Sequence, residues 1–339
     1  MKTADISPAI IEKSPLILAE IEKASSVLLH CHPSPDPDSV GSALAMKFAL
    51  ESMGKKATVI KGDSDIPQAF MHFPGAKDIV QKNYFEIDLK QFDLFIVLDS
   101  GANGISRLKP VELPRGLKVI NIDHHRTNPG CGSVNLIVSG ISSCCELLAD
   151  LFQEWDVDVT ADIARNLFIG MYTDTGGFKY EGTTAHTFAV ASMLTAKALD
   201  FHKLISRMEN SDIPATIAFK GAAFDSVSTF LNGKVALACV PVGILTERGI
   251  PASEAGAGMI SASLRSVGEW AIVGALIETE KNKIKLSFRS NDADMYDVSK
   301  LAADLGGGGH RAAAGATLDM PLDEAKKLVV AKAKELYNL

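Results

Sequence analysis

The sequence predicts an α/β protein of two domains. The first is an N-terminal parallel-sheet domain with helices on both faces, and the second a smaller C-terminal α/β domain with a mixed sheet. Three observations carry this reading. Through the first half, short apolar runs alternate with helical patterns, as the strands of a parallel sheet covered on both faces do. Around Phe201 that alternation stops and a different rhythm begins. The length, 339 residues, also exceeds one ordinary hydrophobic core.

In order along the chain, Ser26–His30 (SVLLH) reads as a buried strand and Ser39–Ser52 as a helix with an apolar stripe. Ala57–Ile60, Asp93–Leu98 (DLFIVL) and Leu117–Ile122 (LKVINI) are further strands, and Ser142–Trp155, Ala161–Met171 and Thr184–Leu199 are helices. Asp212-Ile213-Pro214 is a turn signal without Gly/Ser or Pro-rich flanks. It places a structured linker at 201–216, between domains at 1–200 and 217–339. In the second domain Lys234–Val240 is a strand and Glu254–Leu264 a helix. Trp270–Glu278 and Lys283–Phe288 flank the polar turn Glu280-Lys281-Asn282 and form a hairpin. Asp297–Leu305 is a short helix running into Gly306-Gly307-Gly308-Gly309-His310, and Leu322–Tyr337 has apolar residues at helical spacing.

Composition narrows the function. Hydrophobic residues at 47% and charged residues at 22% describe a folded globular chain. A net charge of -7 argues against a basic track for long nucleic acid but leaves room for a small phosphorylated ligand. Five cysteines without a CxxC pair indicate neither a disulfide framework nor a zinc ribbon. Met1–Lys23 lacks a cleavable signal pattern, and no run of about 18 uncharged apolar residues occurs. The expected location is cytoplasmic.

The chemistry-bearing residues fall where a parallel sheet places its functional loops, after the carboxyl ends of strands. His32-Pro33-Ser34-Pro35-Asp36-Pro37-Asp38 follows the first strand, with three prolines stiffening one imidazole and two carboxylates. Asp36 and Asp38 alternate and can face two neighbouring ions, although Asp38 also suits a helix cap. Asp99 ends DLFIVL, where a carboxylate binds a cation or serves a turn. Asp123-His124-His125 ends LKVINI; one histidine can ligate a metal while Asp123 orients a ring. Asp174, after an apolar helix, is a fourth candidate carboxylate or a plain turn residue. Together these loop residues suffice for two octahedral ions sharing a carboxylate, the arrangement that holds both oxygens of an in-line displacement. Oxygen and imidazole donors suit Mn²⁺ or a similar ion better than a thiolate-preferring metal.

In the second half the four glycines form either a flexible loop or a cradle of backbone N–H groups for a phosphate or base edge. Arg289 offers a bidentate fork and His310 a donor. Arg265 reads as a surface residue, and Cys31, Cys144, Cys145 and Cys239 as packing. His186 and His202 read as structural or surface residues.

Taken together the motifs resemble the DHH phosphoesterase superfamily. Asp123-His124-His125 stands as its defining triplet with Asn128 following, and His32–Asp38 matches its HxxPDxD motif. Asp99 and Asp174 match its second and fourth carboxylates. Ser287-Phe288-Arg289-Ser290, Gly306–His310 and Ala312–Gly315 resemble the DHH-associated substrate domain. Motif order matches over nearly the whole chain, and the stand-alone nanoRNase and pAp phosphatase branch is the nearest.

The resemblance implies an active-site cleft between two domains and two Mn²⁺ ions, with Mg²⁺ or Co²⁺ as substitutes. His32, Asp36 and Asp99 would hold one ion, and Asp38, Asp99, His124 and Asp174 the other, with Asp99 bridging. A hydroxide between the ions would attack phosphorus, His125 would stabilise phosphoryl charge or protonate the leaving oxygen, and Asp123 would orient. Arg289, Gly307, Gly308, Gly309, His310 and Asn128 would contact substrate. The implied reaction is hydrolysis of short oligonucleotides, linear dinucleotides or pAp. The alternatives are a cyclic dinucleotide phosphodiesterase, a pyrophosphatase or polyphosphatase, a processive single-strand exonuclease, and a non-enzymatic nucleotide sensor, which would need a lost ligand. The expected partner is a small nucleotide with no long nucleic-acid track and no membrane; a homodimer is compatible.

Overall fold

The structure, a computed structural model, describes residues 6–339 apart from 181, 211 and 253. The chain forms two compact units, Met1–Ser211 and Asp212–Leu339.

The first unit begins with helix α1 (Pro8–Lys23), which the sequence reading had not assigned, then β1 (Ser26–His30), α2 (Pro37–Ser52) and β2 (Lys56–Ile60). β3 (Leu94–Leu98), β4 (Lys118–Asp123) and β5 (Val134–Ile137) follow, then α3 (Cys144–Glu154), α4 (Ala161–Asp174), α5 (Ala185–Lys197) and α6 (Phe201–Glu209). The five strands are all parallel in the order β2-β1-β3-β4-β5. Alternate side chains serve two cores. Val27, Leu29, Ile96 and Ile120 join the α-helices, while Leu28, Phe95, Val97 and Val119 face the other side. The helices on that second side are single 3₁₀ turns between β2 and β3, including Tyr84–Glu86. In this order the chain reverses its winding between β1 and β3, and crevices at such switch points are where open α/β sheets bind ligands.

The second unit comprises α7 (Pro214–Asp225), β6 (Ser228–Phe230), β7 (Val235–Val240), α8 (Val242–Glu247) and α9 (Ala257–Leu264). β8 (Ile272–Glu280), β9 (Lys283–Ser290), α10 (Val298–Asp304), β10 (Gly308–His310), β11 (Ala313–Asp319) and α11 (Leu322–Tyr337) complete it. The sheet order is β10-β11-β9-β8-β7-β6, mixed because only β7 and β8 pair in parallel. Odd positions such as Val273 and Ala275 pack towards α7 and α9, and even ones such as Ile272 and Leu276 towards α10 and α11. The β8–β9 hairpin turns at Asn282, whose φ of 62° is one an Asn tolerates. The stretch 201–216 holds α6 and the start of α7.

Candidate metal centre

Four segments of the first unit bring the acidic and imidazole groups together. After β1, His32 Nε2 lies 3.3 Å from Asp36 Oδ2 and 3.7 Å from Asp99 Oδ2. After β4, His124 Nε2 lies 3.4 Å from Asp99 Oδ1, 3.4 Å from Asp174 Oδ2 and 4.0 Å from Asp38 Oδ2. Asp99 therefore stands between two ligand sets, His32 with Asp36 and Asp38 with His124 and Asp174. Its backbone φ of 53° is left-handed, a conformation an Asp tolerates at some cost and one that turns the chain sharply off β3.

Two positions differ from the loop placement expected. Asp174 is the last residue of α4 and Asp38 lies in the first turn of α2, so helices aim both carboxylates. The helix cap is Asp36, whose Oδ1 accepts the Ser39 N–H at 2.9 Å, while Asp38 is left for other partners. Asp38 Oδ2 and Oδ1 accept the backbone N–H groups of Cys144 and Cys145, at 2.8 and 2.9 Å. Those two residues open α3, so the positive end of a helix dipole holds the buried Asp38 carboxylate. Close packing of α2 on α4 makes this possible. A Cβ at Gly170 would sit 2.4 Å from Cys145 Sγ and 3.0 Å from Asp38 Oδ1.

Asp123 is anchored by its surroundings. Its Oδ1 accepts the backbone N–H groups of His124 and His125, and lies 2.7 Å from His125 Nδ1. Its Oδ2 accepts from Asn128 Nδ2 at 2.7 Å. Asn128, expected at the substrate, also donates to Asn121 and accepts from the Gly130 N–H, so its amide works within the protein. It does so at the wall of a cavity of about 380 Å³ lined also by His32, Asp36, Asp99 and His125.

A family model described as "DHH family, N-terminal domain" matches residues 26–171, and a "DHHA1 domain" model matches residues 242–338. A bifunctional oligoribonuclease and PAP phosphatase NrnA of Thermus thermophilus is 30% identical over 334 residues, covering 97% of this chain and 95% of that protein. The chain belongs to the DHH family. It is a phosphoesterase, a hydrolase of ester bonds. The Bacillus subtilis protein of the same name is 25% identical over 321 residues, covering 92% of this chain and 95% of that protein. An exopolyphosphatase-related protein from Bacteroides fragilis shares the fold with a TM-score of 0.86, at 24% identity, over 97% of this chain and 98% of that one.

DHH phosphoesterases depend on metal ions, and the electrostatics test whether this site fits them. Asp99 is 4% exposed and its Oδ1 has no hydrogen-bond partner among the described residues. Burial, then the Asp38 and Asp36 carboxylates, push Asp99 well above the usual carboxylate range. Burial, then Asp38, push Asp174 up to about 7. So much uncompensated anionic character in a buried cluster is what bound cations neutralise. The thiols do not compete as ligands, since burial pushes Cys31 up to about 12 and Cys144 and Cys145 well above the ordinary thiol value. The residues fit hard divalent ions held by oxygen and imidazole nitrogen. His125 is raised above the ordinary imidazole value, chiefly by its hydrogen bond to Asp123. With Nδ1 turned to Asp123, its Nε2 is the ring nitrogen left for other partners.

In the second unit the four glycines are not a single loop. Gly306 and Gly307 turn the chain, and Gly308–His310 form the edge strand β10. His310 pairs with Ala313, and Ala313 with Arg289, so three adjacent strands place His310 and Arg289 on one face with a methyl group between them. Arg289 Nη1 donates to the Phe288 carbonyl at 2.9 Å and to Ser287 Oγ at 3.2 Å. Gly307 lines a separate cavity of about 570 Å³ with Lys285, Ser287 and Thr317, which Arg289 and His310 do not line. Arg265 is exposed, and His186 Nε2 lies 2.9 Å from Asp150 Oδ2.

Sequence reasoning missed the α3 N–H groups under Asp38 and one cavity-lining cation, Arg107. The first had a local signal, since Ser142-Ser143 before a helical run suits an N-cap; Ser143 does cap α3.

Proposed function

We propose that this phosphoesterase uses two Mn²⁺ ions to hydrolyse short oligonucleotides, linear dinucleotides and pAp to mononucleotides or AMP and phosphate. The observation that carries the reading is Asp99, buried and without a donor on Oδ1, standing between two ligand sets. His32, Asp36 and Asp99 would hold one ion and Asp38, Asp99, His124 and Asp174 the other. When bound, such a pair supplies an activated water and neutralises phosphoryl charge. The chain's own residues do the rest. Asp38 is held in place by the first N–H groups of α3. Asp123 orients His125, whose Nε2 carries a proton towards the phosphoryl group or the leaving oxygen. Arg289, His310 and Gly307–Gly309 contact the substrate away from the reacting phosphorus.

Support for the substrate class comes from the names of the Thermus and Bacillus relatives and from charge. A net charge of -7 and 6% aromatic residues supply neither the phosphate contacts nor the stacking platforms a long strand needs. The test is a panel in Mn²⁺ comparing pAp, two- to five-nucleotide RNAs, linear and cyclic dinucleotides, pyrophosphate and a forty-nucleotide strand. Turnover is expected on pAp and the short RNAs, declining with length. Preference for pyrophosphate or the cyclic ligands, or equal rates on the forty-nucleotide strand, would replace this reading with the corresponding alternative.

A further inference from the structure

The cavity beside the candidate metal centre has a feature that metal binding does not use. It is lined by His32, Asp36 and Asp99 and by the segment Ser100-Gly101-Ala102-Asn103-Gly104 together with Arg107. That segment carries short, uncharged side chains. Arg107 is the only Arg or Lys among the described residues lining the cavity. Every ionisable carboxylate lining it, Asp36, Asp99 and Asp123, is already engaged with a histidine or assigned to metal.

The base of Arg107 is fixed while its head is not. Asp63, in the loop after β2, accepts the Arg107 backbone N–H at 2.7 Å and the Ser106 hydroxyl at 2.7 Å. Ser106 is 4% exposed, while Asp63 is half-buried and the Arg107 side chain stands at the surface. Among the described residues the Arg107 guanidinium has no carboxylate partner and no hydrogen bond. A pinned backbone with an unengaged planar fork is arranged to meet an anion from outside the protein. Volume sets the size of that anion's carrier. About 380 Å³ lies near the lower end of ligand pockets, which suits one nucleotide rather than a chain of them.

We infer that Arg107 binds the second phosphate of the substrate, the one not being cleaved, and so selects nucleotides phosphorylated at both ends of a single nucleoside unit. The inference rests on the phosphoesterase reading above and deepens it. It places the reacting phosphate at Asp99 and the non-reacting phosphate at Arg107, two residues that line the same cavity. The discriminating pairs are pAp against 3′-AMP, and pApA against ApA, because each pair differs by the phosphate assigned to Arg107.

The experiment uses the full-length chain, Arg107→Ala and Arg107→Lys, in Mn²⁺. KM and kcat are measured on both pairs and on bis(p-nitrophenyl) phosphate, a diester with no second phosphate. Affinity for a non-hydrolysable phosphonate analogue of pAp is measured by calorimetry. Arg107→Ala is expected to raise KM for pAp and pApA about 10- to 100-fold, as loss of a charged hydrogen-bonding pair does. KM for 3′-AMP, ApA and the nitrophenyl diester should be unchanged, and Arg107→Lys should restore part of the preference. An equal loss on every substrate would mean that Arg107 acts through the metal residues or the fold, and would overturn the inference. So would unchanged constants throughout, or a preference lost in Arg289→Ala instead. If nothing is hydrolysed but the analogue binds the wild type and not Arg107→Ala, the proposed function is at fault and the phosphate assignment stands. A wild type that neither hydrolyses the panel nor binds the analogue overturns both.

Discussion

The two sheets handle polar residues in opposite ways. In the parallel sheet of the first unit every strand points in one direction, so the residues after β1, β3 and β4 leave the core at the same edge. There Asp38, Asp99 and Asp123 are 1%, 4% and 0% exposed, and Asp38 and Asp123 are locked by backbone N–H groups. In the mixed sheet of the second unit neighbouring strands run in opposite directions except β7 and β8, and the corresponding groups gather across neighbouring strands. His310, Ala313 and Arg289 align laterally at an edge, and His310 is exposed. The first arrangement fixes several charges in one buried cluster, where a mutation disturbs all of them. The second lays its groups along neighbouring strands, with His310 exposed and Arg289 half-buried, outside any shared cluster of charges.

The largest expected effect follows from the buried cluster. Asp99→Ala should lower kcat at least about 10³-fold, beyond the ~10–100-fold usual for an outer partner of a metal site. The circular dichroism spectrum should be unchanged, because Asp99 ends a strand rather than filling the core. Metal content by mass spectrometry should fall with it. Full metal content and activity in the variant would dissolve the contrast between the two units.

Asn128→Ala should rank next. It removes the donor to Asp123 Oδ2, leaving a buried carboxylate oxygen one partner short. We expect a stability loss of about 1–3 kcal/mol in urea unfolding and a fall in kcat of about 10- to 100-fold. A change confined to KM would instead favour direct substrate contact by Asn128.

On the exposed side, Arg289→Ala and His310→Ala should each raise KM for nucleotides about tenfold, with kcat and metal content little changed, as expected for binding that does not distinguish ground and transition states. Unchanged kinetics in both would remove the second unit from substrate recognition.

The smallest effect on activity is expected at a buried carboxyl away from the centre, where stability alone should respond. Burial on α3 pushes Asp150 up to about 6 from 3.8, against the lowering effect of His186. Its folded pKa lies above its unfolded value, so the folded state holds the proton more tightly. Its contribution to stability is complete below about pH 4 and is lost as pH rises to about 6. The loss should be on the order of 1–3 kcal/mol. Asp150→Asn should flatten this slope in urea titrations between pH 4 and 6; a slope identical to the wild type would assign the dependence to other groups.

Local pattern was enough to place most of the strands and helices, and the reason is burial. A strand covered on both faces must be apolar throughout, so β1, β3 and β4 announce themselves and the polar residues that follow stand out. Elements without that constraint were missed, among them the short partly buried strand β5 and the edge strand β10, whose glycines show no strand propensity. The 3₁₀ turns that cover the second face carry no long period to read.

The types of the candidate ligands and their order were likewise determined by sequence, because each belongs to a short motif at the end of an element. What only tertiary structure decided is how those motifs are held. Cys144 and Cys145 read as packing residues, yet their N–H groups bind Asp38 from 106 and 107 residues away. Backbone donors have no residue type and so leave no trace in a sequence. The fork of Arg107 is equally silent: a lone arginine in a loop gives no sign of a site, and only the fold places this exposed residue in the lining of the cavity that also holds Asp99. Chemistry that resides in side-chain identity could be read in one dimension; chemistry that resides in backbone groups and in the absence of a partner required three.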